Sequence, residues 1–154
     1  MLTKKYFIGG GIYIGSRRIV QIEQSNFVYN SAIYDGGGIV VTDESAVSAV
    51  GCSIFYNSAG NRGGGLFSEA DSIVTLQDST VASNFVNPTG VGNGGGIAVA
   101  DRATVNAYRT LITDNQAPLG GGVFMQHVAK FNLYNSTISF NQAPIGSLFS
   151  FPYS

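Results

Sequence analysis

Asp43, Glu44, Glu69, Asp71 and Asp101 are five of the nine acidic side chains in this chain, and they fall in one middle stretch of it. Glu44 and Asp71 stand 27 residues apart (71−44). Grouped carboxylates are hard oxygen donors of the kind that hold Ca²⁺, and Asp43, Glu44 and Asp71 are the candidate ligands. Arg17 lies 27 residues before Glu44 (44−17), and Arg102 lies 31 after Asp71 (102−71). The same residues can therefore also form a row of ion pairs, Arg-Glu-Asp-Arg, with the end charges neutralising the middle repulsion. His127 is the single histidine. It suits a Ser-His-Asp device only with a serine brought to it by the fold, and it reads as a surface residue. Cys52 is the single cysteine, which excludes an internal disulfide and a Cys/His zinc cluster. The Gly-rich triplets lack the Lys-Ser/Thr and following helix of a phosphate-binding loop.

What must position these groups is an internal repeat. Gly-Gly-Gly occurs five times, beginning at Gly9, Gly36, Gly63, Gly94 and Gly120. An asparagine follows each first glycine after 21 residues: Asn30, Asn57, Asn84, Asn115 and Asn141. Only the return from asparagine to the next triplet varies, by 6, 6, 10 and 5 residues (36−30, 63−57, 94−84, 120−115). A fixed body with one elastic corner is the signature of a solenoid. Counting the first glycine as position one, positions four, twelve, fourteen and nineteen stay apolar in every repeat, as in Ile39, Val47, Ala49 and Ile54. Glu44 and Asp71 share position nine with Arg17 and Arg102, and His127 shares position eight with Ser16, Asp43 and Asp101.

The apolar positions alternate with polar ones at a period of two, the pattern of half-buried strands. No window carries helical spacing, and glycine is too frequent for helix interiors. Identical order in every repeat rules out hairpins. The fold class predicted is all-β: a right-handed parallel β-helix with three short strands per coil and about five full coils. Coils start near residues 9, 36, 63, 94, 120 and 146, in a single domain over 1–154. At about 4.8 Å per coil the body is roughly 25–30 Å long.

In such a stack the five asparagines form an amide ladder, each donating to the next rung and satisfying buried polar groups. Asparagine also tolerates the left-handed backbone of a corner. The glycines serve positive φ or close approach of neighbouring coils. Position five, with Tyr13, Val40, Phe67, Ala98 and Phe124, is expected to face outward. Its aromatic members Tyr13, Phe67 and Phe124 make a candidate ridge for a protein or glycan ligand, unless they only stack on one another. The longest return, Asn84–Gly94, should protrude at Pro88-Thr89-Gly90.

Charged residues make up 11% of the chain, below the roughly 25% of ordinary soluble domains, because Ser, Thr, Asn, Gln and Gly cover the surface instead. A net charge of −1 gives no basic footprint for nucleic acid, and no apolar stretch is long enough to span a membrane. Residues 1–8 carry no signal-peptide h-region. Both ends fall inside a repeat, so the chain is expected to be a piece of a longer one, whose end coils would pair with flanking coils or another copy.

The pairing of Gly-Gly-x-Ile with Phe-x-x-Asn resembles the tandem repeats of the polymorphic outer membrane proteins of Chlamydia-type bacteria. The first motif stands at Gly10-Gly11-Ile12, Gly37-Gly38-Ile39, Gly64-Gly65-Leu66, Gly95-Gly96-Ile97 and Gly121-Gly122-Val123. The second is literal at Phe27–Asn30 and relaxed to Ile54–Asn57, Val81–Asn84, Ile112–Asn115 and Ile138–Asn141. The resemblance implies a pectate-lyase-like β-helix in a secreted or surface-exposed protein, acting in adhesion. Two functions follow as expectations. The first is a non-catalytic structural or adhesive segment at the cell surface or outside the cell, without a cofactor. The alternative is a carbohydrate-active β-helix, because β-helix polysaccharide lyases and epimerases similarly place carboxylate-bound Ca²⁺ and a basic residue near a sugar uronate.

Overall fold

A computed structural model of the protein describes residues 9–87, 91–146 and 149–150. Each repeat is one coil of short strands. The first coil holds β1 (Ile12–Ile14), β2 (Ile19–Glu23), β3 (Asn26–Val28) and β4 (Ser31–Ala32). The second holds β5 (Ile39–Val41), β6 (Ala46–Val50), β7 (Ser53–Phe55) and β8 (Ser58–Ala59). The third holds β9 (Leu66–Ser68), β10 (Ile73–Gln77), β11 (Thr80–Ala82) and β12 (Phe85–Val86). The fourth holds β13 (Ile97–Val99), β14 (Thr104–Tyr108) and β15 (Leu111–Thr113), and the fifth β16 (Val123–Met125), β17 (Lys130–Tyr134) and β18 (Thr137–Ser139). β19 (Phe149–Ser150) opens a sixth.

Strands pair in parallel with their equivalents in adjacent coils. Three long sheets run the length of the body, in the orders β1-β5-β9-β13-β16-β19, β2-β6-β10-β14-β17 and β3-β7-β11-β15-β18. The register follows repeat position without a slip, so Val20, Val47, Val74, Val105 and Phe131 lie in one row. The four extra residues of the third repeat (10−6) are absorbed in its return. Pro88-Thr89-Gly90, the loop expected to protrude, lies outside the described residues. A fourth sheet, β4-β8-β12, goes beyond the three strands per coil read from sequence. It continues as single bridges, Phe85 to Gln116 to Gln142. Two residues per coil are too few to show a period of two, which is why the alternation did not reveal it.

The inner rows meet as one core that includes Ile39, Val47, Ile54, Leu66, Leu76, Val81, Ile97 and Ile112, all nearly or wholly buried. Ser68 enters this core without cost in unpaired polarity, because its hydroxyl pairs with that of Ser72 at 2.8 Å and Ser72 donates to the Val41 carbonyl at 3.1 Å.

Corners are made by left-handed residues at constant repeat positions. Positions eight and nine are both left-handed in every coil, as at Asp43 (φ 53°) and Glu44 (φ 57°). Position sixteen repeats this at Gln24, Gly51, Asp78, Arg109 and Asn135, and position twenty-one at Tyr29, Tyr56, Ser83, Asp114 and Phe140. The asparagines themselves are not left-handed; the residue before each one makes the bend. This corrects the corner geometry expected of the asparagine column. Once the bend precedes it, the asparagine side chain points inward.

The glycine triplet divides its work. Gly36 is left-handed at φ +64°. A Cβ on Gly37 would lie inside contact distance of the Gly64 and Ser58 carbonyl oxygens, and one on Gly38 would stand 2.6 Å from the Gly65 oxygen. Close approach of backbone on both sides explains why three consecutive positions hold glycine.

Candidate functional site

The carboxylates come together at the corner between the first two long sheets. Positions eight and nine form a two-residue bend, so their side chains leave the body at the same angle in each coil. Ser16, Arg17, Asp43, Glu44, Ala70 and Asp71 line an open depression of about 450 Å³ there. Glu44 reaches back one coil to Arg17, whose Nη2 donates to its Oε1 at 3.0 Å. Asp71 reaches forward one coil to Arg102 in a bidentate pair, with distances of 2.8 Å from Nε and 2.6 Å from Nη2. Two of the three candidate ligands, Glu44 and Asp71, are thus engaged in opposite directions. Asp43 accepts from the Thr42 hydroxyl at 3.4 Å. Among the described residues, no three His, Cys, Asp or Glu side chains group in a way that would hold a metal ion.

The electrostatics follow the pairing. Hydrogen bonds from Arg102 hold the Asp71 carboxyl below the usual aspartate range, and those from Arg109 do the same for Asp78. Arg102 and Arg109 are raised mainly by the same hydrogen bonds, and Arg17 by its bond to Glu44. These groups are exposed, so the pairs fix side-chain direction more than they add stability. His127 lies on the surface one coil from Asp101, with Nδ1 at 2.9 Å from its Oδ1. Ser16, its serine neighbour by repeat position, stands four coils away in the first coil. Among the described residues, the serine that repeat position would offer is therefore not brought to His127.

Position five behaves differently from its sequence expectation. Tyr13 is exposed, but Phe67 and Phe124 are buried, at 0% and 2% accessibility. The exposed ridge of Tyr13, Phe67 and Phe124 is therefore corrected. Val40, Phe67, Ala98 and Ala100 form a second apolar cluster outside the main core. Arg62 lies over the Phe67 ring at 4.2 Å from its centroid. Arg62 also grips the buried Asp35 with two bonds, at 3.1 and 2.9 Å, and approaches Glu69 at 3.8 Å. Asn61 adds a further bond to Asp35 at 3.1 Å.

Sequence reading missed this Asp35–Arg62–Glu69 group because the last position of each repeat, with Asp35, Arg62, Asn93, Leu119 and Ile145, keeps no chemical type. The detectable signal was Asp35 and Arg62 standing 27 residues apart (62−35), the same interval as Arg17 and Glu44.

Burial raises the Glu69 carboxyl above its ordinary range; Arg62 opposes this, while Asp35, Asp101 and Asp43 add to it. A carboxyl raised on folding binds its proton more tightly in the native state. Its contribution is then fully present below the unfolded pKa and falls as pH rises through the folded one. Glu69→Gln removes that loss. We expect the variant to be more stable than the parent at neutral pH, by under about 1 kcal/mol for a partly solvated group. The gain should vanish towards about pH 4, the ordinary glutamate range. Urea midpoints across that range check it, and a variant less stable at every pH would refute the charge argument.

The asparagine column runs through the interior. The Nδ2 groups of Asn30, Asn57, Asn84 and Asn115 each donate to the Oδ1 of the next asparagine, at 3.0, 2.9, 3.0 and 2.9 Å. The same Oδ1 atoms also accept the backbone N–H of the preceding rung, as from Asn57 to Asn84 at 2.9 Å. The second Nδ2 hydrogen goes to a strand carbonyl, as from Asn84 to Ile54 at 2.8 Å. Position seventeen forms a second polar column. The Ser79 hydroxyl accepts from the Cys52 N–H at 3.1 Å, and that of Ser136 from the Thr110 N–H at 2.9 Å. Cys52 is buried and free, its Sγ placed at 3.5 and 3.7 Å from the Val50 and Ile22 carbonyl oxygens.

With stacked parallel sheets and a coil-by-coil register established, the comparison with known families is decisive. The family described as the right handed beta helix region matches residues 3–148. The chain belongs to the right-handed beta helix family. No curated protein and no solved structure matches it. The β-helix assignment thus fixes architecture, and fold alone does not fix a role. No helix among the described residues is long and apolar enough to cross a membrane.

Proposed function

We propose that this right-handed β-helix is a structural or adhesive segment of a secreted or cell-surface protein, presenting side chains on a stiff rod to a protein or glycan. The observation that carries this reading is how the polar residues are used. Interior amides bind one another along the axis, and two carboxylates of the corner depression, Glu44 and Asp71, are occupied by guanidinium groups of adjacent coils. Such a ladder stiffens the rod and leaves repeated corners free to vary. The finer placement, among polymorphic outer membrane repeats at the outer-membrane surface or outside the cell, rests on the Gly-Gly-x-Ile and Phe-x-x-Asn resemblance.

A carbohydrate-active role remains the second reading, favoured by the depression of about 450 Å³ that gathers Arg17, Asp43, Glu44 and Asp71. One set of measurements separates the two. The purified chain should bind saturably to surfaces coated with extracellular-matrix protein or glycan. It should release no unsaturated uronate from polygalacturonate, and its melting should be the same with Ca²⁺ or chelator. Ca²⁺-dependent cleavage that Asp71→Ala abolishes would replace the adhesive reading with the enzymatic one.

A further inference from the structure

Position twenty-one is the outward corner between the third long sheet and the short fourth one. All five of its residues have left-handed backbones of nearly one φ: 59° at Tyr29, 53° at Tyr56, 54° at Ser83, 55° at Asp114 and 52° at Phe140. Equal backbone conformation launches the five side chains in one direction, one above another. Tyr29 and Tyr56 show the result, with ring centroids 5.1 Å apart and planes within 8°. Both are exposed, at 77% and 51%. Tyr29 covers one face of the Tyr56 ring. The other face looks towards the third coil, where the corner residue is Ser83, whose side chain is too short to cover a ring. Asp114 follows on the fourth coil, and the exposed Phe140 on the fifth. Three rungs of about 4.8 Å place Phe140 roughly 14 Å from Tyr56 along the axis. The corner is therefore a notch two residues wide in an otherwise aromatic column.

The notch is sized and furnished for a ring with one apolar face and a polar rim. A ring resting on Tyr56 at van der Waals distance, about 3.5–4.0 Å, lies level with Ser83. The Ser83 hydroxyl, which can both donate and accept, makes no side-chain hydrogen bond to another described residue. Asp114 accepts from Thr113 through Oδ2 at 2.9 Å, which leaves its other oxygen to accept a hydroxyl. Phe55 stands beside Tyr56, with centroids 6.3 Å apart and planes at 45°, and Phe85, two residues beyond Ser83, is exposed.

We propose that Tyr56, Ser83 and Asp114 form a subsite for a neutral pyranose ring of a polysaccharide. Its C–H face, with slightly positive hydrogens, meets the negative face of the Tyr56 ring. Adjacent hydroxyls meet Ser83 and Asp114. The Asp114 carboxylate repels a uronate, so the site selects neutral sugars over the acidic ones of the enzymatic reading. This inference deepens the surface-binding role and names one class of ligand for it.

The test is affinity electrophoresis of the whole chain in gels cast with a neutral β-glucan, a galactomannan, a xylan or polygalacturonate. At least one neutral polymer should retard the protein, and polygalacturonate should not. Tyr56→Ala should weaken the retardation at least tenfold. Ser83→Tyr, which fills the notch by extending the aromatic column, should weaken it as much while circular dichroism and melting remain those of the parent. Tyr108→Ala, which breaks a second stacked tyrosine pair, with Tyr134, should leave it unchanged. Absence of retardation by every neutral polymer overturns the subsite, even where the chain still adheres to coated surfaces. So does retardation that survives Ser83→Tyr.

Discussion

Asn84→Leu is expected to destabilise the protein by about 3–5 kcal/mol, well beyond a typical single hydrogen bond. Asn84 is wholly buried and sits at the centre of the amide column. Its Oδ1 accepts from both the backbone N–H and the Nδ2 of Asn57, each at 2.9 Å. Its Nδ2 donates to the Ile54 carbonyl at 2.8 Å and to Asn115 at 3.0 Å. Leucine is similar in size and fills the space, so no cavity term enters. The loss comes from two donors of Asn57 and the acceptor of Ile54 left in a dry interior, each costing about 1–3 kcal/mol before relaxation. Asn30→Leu, at the partly exposed first coil, should cost distinctly less, because the Asn57 Oδ1 that loses the Asn30 amide still accepts the backbone N–H of residue 30 at 3.0 Å. Urea unfolding of both variants with unchanged m-values checks the pair. A loss under about 1 kcal/mol at Asn84 would mean that the ladder contributes little beyond its packing.

Gly37→Ala should be of similar size, about 3 kcal/mol or more, or should prevent folding. One added methyl group would press on the carbonyl oxygens of both Gly64 and Ser58. Those are backbone atoms, one in the next coil and one across the same coil, so relief requires moving backbone rather than rotating a side chain. Overpacking ordinarily costs about 1–3 kcal/mol, and more where the surroundings cannot yield. Gly51 provides the contrast. Unlike Gly37 it is left-handed, at φ +63°, but an added Cβ meets only the Gln24 side chain at 3.6 Å. Equivalent residues in other coils are Gln24, Asp78, Arg109 and Asn135, all left-handed. Gly51→Asn should therefore change stability by less than about 1 kcal/mol. Thermal melts of the two variants side by side distinguish close approach from backbone conformation as the reason for glycine. A loss at Gly51 as large as that at Gly37 would show that backbone conformation weighs as much as close approach.

The sequence carried most of the winding because a solenoid stacks like on like. A position that must be apolar in one coil is flanked by the same position above and below, so the constraint repeats at the coil length. That is how Val47, Val74 and Val105 announce their row before any coordinates exist. The constant 21-residue step from glycine to asparagine similarly places the bond network of Asn57, Asn84 and Asn115 in one column. The two-residue strands such as Ser58–Ala59 stayed hidden, since too short a segment has no period. The hydroxyl column through Ser79 and Ser136 was visible only as a run of small residues, with nothing to say that its oxygens accept backbone N–H groups.

The sequence by itself thus determined the pitch, the order and the inner face of this right-handed β-helix. What only the tertiary structure decided lies at the corners. Phe67 follows the outward alternation of its strand, yet Arg62 folds over its ring and buries it. Glu44 and Asp71 share a position, yet pair with arginines on opposite sides. Tyr56 has an uncovered face because the next left-handed corner holds serine. Periodicity specifies which residues stack. The direction in which a side chain leaves a bend, and what comes to rest against it, depends on backbone angles that repeat spacing does not encode.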